Sequence, residues 1–170
     1  MKSWIFLFSV IGSLGAIAPV QAAEKVILKY NVLQESISVA QLSTLSQTGE
    51  ASPELHTYLD LVNKKPEELR QILNQSITVT PTVLSNLLDS FAGKYLLNKL
   101  TEVISSPSAQ NSKESLRNAL IASVNTNDDI RLIEVLENYP DPELQIEGDR
   151  LMELYQQVKA ITGNLSNLPF

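Results

Sequence analysis

His56 is the only histidine in the 170 residues, and Asp60 follows it by four, a spacing that puts both side chains on one face of a helix. A histidine oriented by a carboxylate is the base half of a nucleophilic site, so any acyl-transfer chemistry would be sought at this pair. Spacing names no serine partner for it. In "PELHTYLDL" a lone histidine reads first as a surface or packing residue of an amphipathic helix. A nucleophile elbow needs G-x-S-x-G for its strained turn. The nearest approach, "IGSLG" at 11 to 15, has Ile11 at the first glycine position and lies in an apolar leader.

Metal chemistry has equally few carriers. There is no cysteine, so zinc would need His56 plus scattered carboxylates. Asn125, Asn127 and Asp129 mimic the opening of a calcium loop, but the central glycine and distal glutamate are missing, and helix capping is the simpler role. Asp141, Glu143, Glu147 and Asp149 form an acidic run that reads as a solvated turn. No glycine-rich phosphate loop is present. With 13 Lys+Arg against 19 Asp+Glu and a net charge of -6, the chain lacks the basic patch that nucleic-acid binding requires. The expectation is a chain with no catalytic, cofactor-binding or metal site, no cofactor and no enzymatic activity of its own.

The elements that would position any site come after a leader. Lys2, the apolar run Trp4 to Ala18 and the small residues of Val20-Gln21-Ala22 predict a signal peptide over residues 1–22, cut before Ala23. Export to the periplasm or the extracellular space follows, with membrane contact only through an uncleaved signal. Residues 23–170 have the length of one domain. "KVILKYNVLQESISV" alternates as a hairpin around Asn31 to Gln34, and "LQI" at 144 to 146 is a candidate third strand. The rest reads as helices with start signals at Ser38, Ser52-Pro53, Pro66 and Thr80-Pro81. Val83, Leu84, Leu87, Leu88 and Phe91 form one apolar set that continues past Gly93 as Tyr95, Leu96 and Leu100, with a bend or a helix junction near the glycine. "LRNALIASVNTNDDIRLIEVLENYP" reads as two helices, the second starting at Asp128-Asp129 and burying Ile130, Ile133, Leu136 and Tyr139. The predicted fold class is therefore mainly α, a compact multi-helix bundle with a small antiparallel β-hairpin near the N-terminus.

The ordered set "YNVLQESISVAQL", Gly49-Glu50, "PEELRQIL", "FAGKYLL", "LRNALIAS" and "IEVLENYP" followed by "LQI" resembles domain of unknown function 1400, found in cyanobacterial exported proteins. The resemblance implies an N-terminal helical domain of the kind that precedes an α/β-hydrolase domain in longer relatives. That second domain would supply the serine elbow, and would begin where this chain ends at Phe170. Family positions that match here, such as Tyr30, Gly93, Arg117 and Pro140, carry no transferable site role.

A non-catalytic interaction or cap module is the resulting expectation. A protein partner would dock on the C-terminal helix through Leu151, Leu154, Tyr155, Val158 and Ile161. Two alternatives make distinct demands. An accessory part of a separately encoded hydrolase would gather polar groups around His56. A lipid or small-molecule binder would enclose an apolar cavity.

Overall fold

Val26 and Leu28 alternate with outward residues, and the chain turns back at Asn31, whose φ of 53° is one that asparagine tolerates. This makes β1 (Lys25–Tyr30) and β2 (Leu33–Ser38) an antiparallel pair. The computed structural model describes residues 22–107, 111–124 and 128–165, the side chains of 157–165 excepted. Residues 1–21 of the expected leader, Asn125 and Asn127, and the side chains of Val158 and Ile161 lie outside the described residues.

Ser38 ends β2 and starts α1 (Val39–Thr48): its hydroxyl accepts from Gln41 N at 3.1 Å, while its own N–H donates to Gln41 Oε1 at 2.9 Å. This reciprocal cap satisfies two helix-end donors locally. Gly49, at φ 83°, closes the helix. Ser52 and Pro53 start α2 (Pro53–Leu61), and α3 (Pro66–Asn74) leads into β3 (Ser76–Thr78). Thr80 caps α4 (Pro81–Asp89). Ser90 then both ends α4 and caps α5 (Phe91–Thr101), accepting from Gly93 N at 3.0 Å and donating to Leu87 O at 2.6 Å. Next come β4 (Ile104–Ser105), α6 (Ser112–Val124), β5 (Asp129–Arg131), α7 (Leu132–Glu137), β6 (Glu143–Glu147) and α8 (Gly148–Leu165).

The expected mainly α bundle does not form. The described residues hold a mixed four-stranded sheet of order β2-β1-β6-β4 and a two-stranded sheet of β3 and β5. β6 runs parallel to β1, with Val26 opposite Leu144 and Leu28 opposite Ile146, so the first and last strands close the domain on each other. A parallel pair needs a long crossover, and here everything from β2 to α7 supplies it. The helix expected from Asp128 is also replaced. Asp128 takes φ 57°, Ile130 pairs with Ile77 in the small sheet, and only Leu132–Glu137 is helical. Long-range pairing outweighs local helix propensity there.

The core lies between the inner face of the larger sheet and the helices, with Ile37, Leu73, Leu116, Leu136, Tyr139 and Leu144 among the fully buried side chains. Two tyrosines make the core sensitive to alkali. Tyr58 is buried and donates to Leu28 O at 3.1 Å. Burial pushes its phenol up to about 12, and the charges of Asp149 and Glu35 add to this. Tyr139 is also pushed up to about 12, by burial first and by Asp141 second, with the Ser112 hydroxyl opposing. The folded chain thus holds both protons more tightly than the unfolded chain does. Stability present below pH 10.0 should fall as pH rises from there toward about 12, by on the order of 2 kcal/mol per phenol. Denaturant unfolding across this window checks it. A flat stability profile that Tyr58→Phe and Tyr139→Phe leave unchanged would contradict the burial of these groups.

Candidate functional site

The helices leave a gap. α4 and α5 form a hairpin that contacts α6, and α8 packs on β1 and β6; between them lies a half-open pocket enclosing about 250 Å³. Leu84, Leu87 and Leu88 come from α4, and Leu96 and Leu100 from α5. Leu116 and Leu120 of α6, Ile130 of β5 and Val135 of α7 line it from the core side. Leu151, Leu154 and Tyr155 of α8 form the remaining wall. Among the described residues, Gln75 and Tyr155 are the only lining residues whose side chains carry a hydrogen-bonding group, and none of the lining residues is charged.

Such a space has one kind of chemistry. A charge brought into it would lose its water without a partner, a cost of several kcal/mol, whereas apolar surface gains about 25 cal/mol per Å² removed from water. A cavity of roughly 150 Å³ lined by Leu, Ile and Phe stays dry and takes up benzene. The pocket here is larger. It suits an uncharged hydrocarbon group, an alkyl or acyl chain or an aryl ring.

The residues singled out for catalysis do not converge. His56 Nδ1 lies 3.1 Å from Asp60 Oδ2, as helix spacing implies, but both side chains are more than half exposed. Among the described residues no serine hydroxyl is hydrogen-bonded to His56. Ser38 does stand between a strand and a helix, the setting of a nucleophile elbow, yet its φ of -72° is unstrained and its hydroxyl is engaged in the cap.

Two members of the acidic run have separate partners, whereas Asp141 Oδ2 is buried without a hydrogen-bond partner among the described residues. Glu147 faces Lys29 at 3.8 Å, and Asp149 accepts from Asn31 N at 3.1 Å. Asp129 accepts from the Ser76 hydroxyl at 2.6 Å across the small sheet. Among the described residues no group of three or more carboxylate or histidine side chains is placed to hold a metal.

The helix expected to meet a partner turns its first residues inward. Leu151 is buried, and the half-buried Leu154 and Tyr155 help line the pocket. The apolar set of α4 and α5 likewise divides in two. Leu84 and Leu88 are buried, whereas Val83, Phe91 and Tyr95 are exposed. Most of the pocket's residues, among them Leu84, Leu88, Leu96, Leu116 and Leu154, were visible in the sequence as apolar helix faces, whereas Gln75, Ile77 and Val79 were not. What could not be read is that these faces stop short of one another.

A mixed sheet with helices packed on it, carrying an apolar pocket, is an α-and-β architecture. Residues 22–147 match the model of a family described as alpha/beta hydrolase of unknown function (DUF1400), and the chain belongs to that family. No curated protein and no solved structure matches the chain.

Proposed function

We propose that this domain is a non-catalytic cap of an alpha/beta hydrolase and holds the hydrocarbon part of the molecule on which the hydrolase acts. The observation that carries this reading is the pocket of about 250 Å³ with no charged lining residue among the described residues. The family's description supports the hydrolase connection. The nucleophile comes from the catalytic body that the cap covers, and a protein partner reaching the pocket would do so across α8, where Leu154 and Tyr155 wall it.

Filling the pocket tests this. Leu120 is half-buried on its lining, so Leu120→Trp should occupy the space at small cost to the core. The chain should bind an apolar fluorescent dye that decanol displaces, and Leu120→Trp should weaken dye binding about tenfold or more, the equivalent of about 1.4 kcal/mol. Equal binding by both proteins, or no binding by either, would overturn the reading.

The module works after export, with residues 1–22 as the leader. N-terminal sequencing of protein produced with its own leader should begin at Ala23. An intact Met1 terminus in the membrane fraction would contradict this.

A further inference from the structure

We propose that the α4–α5 hairpin is a docking surface for anionic lipid, and that it seats the mouth of the pocket on the membrane from which the hydrocarbon ligand enters. The proposal rests on the apolar-ligand reading above and names the source of the ligand. Sequence alone suggested membrane contact only through a retained leader, and among the described residues no helix is long and apolar enough to cross a membrane. Contact here is with the surface.

Among the described residues, five of the eight exposed large apolar side chains lie on this one hairpin, the others being Val32, Leu33 and Leu61. Phe91 is 90% exposed, Tyr95 61% and Val83 58%, with Leu87 and Leu96 partly open beside them. A contiguous apolar patch on a soluble domain marks a surface that meets another apolar phase. Leu87 and Leu96 also line the pocket, so the patch continues into its mouth. The hairpin is preformed. Ser90 ties the end of α4 to the start of α5, and Gly93 lets α5 cross against α4, because a Cβ there would lie 1.9 Å from Leu87 O. Phe91 therefore stands at the apex of a rigid corner and can enter lipid with little loss of conformational freedom.

Local charge favours an anionic surface, and the aromatic residues beside it favour lipid. The chain carries -6, yet α4 and α5 contain Lys94 and Lys99 against Asp89 alone. Arg117 on α6 pairs with Asp89, and Glu102 with Lys99, while among the described residues no ion pair engages Lys94, which is exposed one residue from Tyr95. A phenylalanine to enter the acyl region, a tyrosine for the headgroup level and a free lysine for anionic headgroups are the parts of an interfacial anchor.

The test uses the full chain and its tryptophan content. Trp4 is the only tryptophan, so in a W4F background an F91W indole reports on the hairpin apex alone. Val32 is 96% exposed on the β1–β2 turn, and V32W serves as the control position. With vesicles of brominated phosphatidylcholine mixed with phosphatidylglycerol, the F91W indole should shift to shorter wavelength and be quenched, and the V32W indole should not. Lys94→Gln should raise the lipid needed for half-quenching about fivefold. An unquenched F91W indole in a chain that still binds the apolar dye would overturn the lipid proposal and leave the pocket reading intact. A wavelength shift that follows protein concentration without vesicles would overturn it in favour of a second copy of the chain. Loss of dye binding itself would remove the pocket reading on which the proposal stands.

Discussion

Leu136→Ala is expected to cost the domain about 2 to 5 kcal/mol, the range for a buried leucine that leaves a cavity behind. Leu136 has no exposed surface, and α7, which carries it, contacts α1, α3 and α6 together. The neighbours cannot easily close the gap, because α7 is pinned on several sides. Ser43 donates to Glu137 at 2.6 Å, Glu134 accepts from Arg131 N at 3.1 Å, and Asn138 reaches Ser123 at 3.4 Å. A shift in urea midpoint with unchanged slope measures the loss. A loss below about 1 kcal/mol would mean that α7 lies at the edge of the core, since surface substitutions stay near 0.5 kcal/mol.

Gly93→Ala should destabilise by about 3 kcal/mol, the upper part of the range for overpacking. Helix propensity alone predicts the opposite sign, because alanine is favoured over glycine by about 1 kcal/mol inside a helix. The contact decides between them. A Cβ at Gly93 would meet Leu87 O at 1.9 Å and the Leu88 Cα at 2.7 Å, both backbone atoms that cannot rotate away. The two helices would have to part, which disturbs the Ser90 corner and the pocket wall formed by Leu87, Leu88, Leu96 and Leu100. Chemical denaturation gives the sign directly. A gain in stability would show that α4 and α5 do not cross so closely.

Local chemistry was legible wherever one segment settled its own ends. Ser38, Ser52 with Pro53, and Thr80 with Pro81 mark helix starts locally, and the structure uses each of them. The burial of Ile130, Ile133, Leu136 and Tyr139 was also readable, because apolar side chains recur there whatever the backbone does. The hairpin of β1 and β2 and the strand at 144 to 146 were legible from alternation, but the shorter strands were not. β3, β4 and β5 are two or three residues long, too short to show alternation, and each exists through a partner far along the chain: Ile77 against Ile130, Ile104 against Ile146.

The site had the same difficulty in another form. Leu84, Leu88, Leu116 and Leu120 read as inward faces and are so, but periodicity reports a direction and not the distance to the facing helix. Phe91 and Tyr95 fit the same apolar pattern and point outward, because the corner at Ser90 redirects α5. His56 drew attention through its chemistry alone, and its neighbours on α2 leave it in solvent beside Asp60.

Titration calorimetry of decanol into the full chain, repeated at several temperatures, tests the central claim that the pocket holds hydrocarbon. The predicted result is saturable binding of one molecule per chain with a negative heat-capacity change, the mark of apolar surface leaving water, and its loss in Leu120→Trp. Absence of saturable heat at every temperature, or binding that Leu120→Trp leaves unchanged, would contradict it.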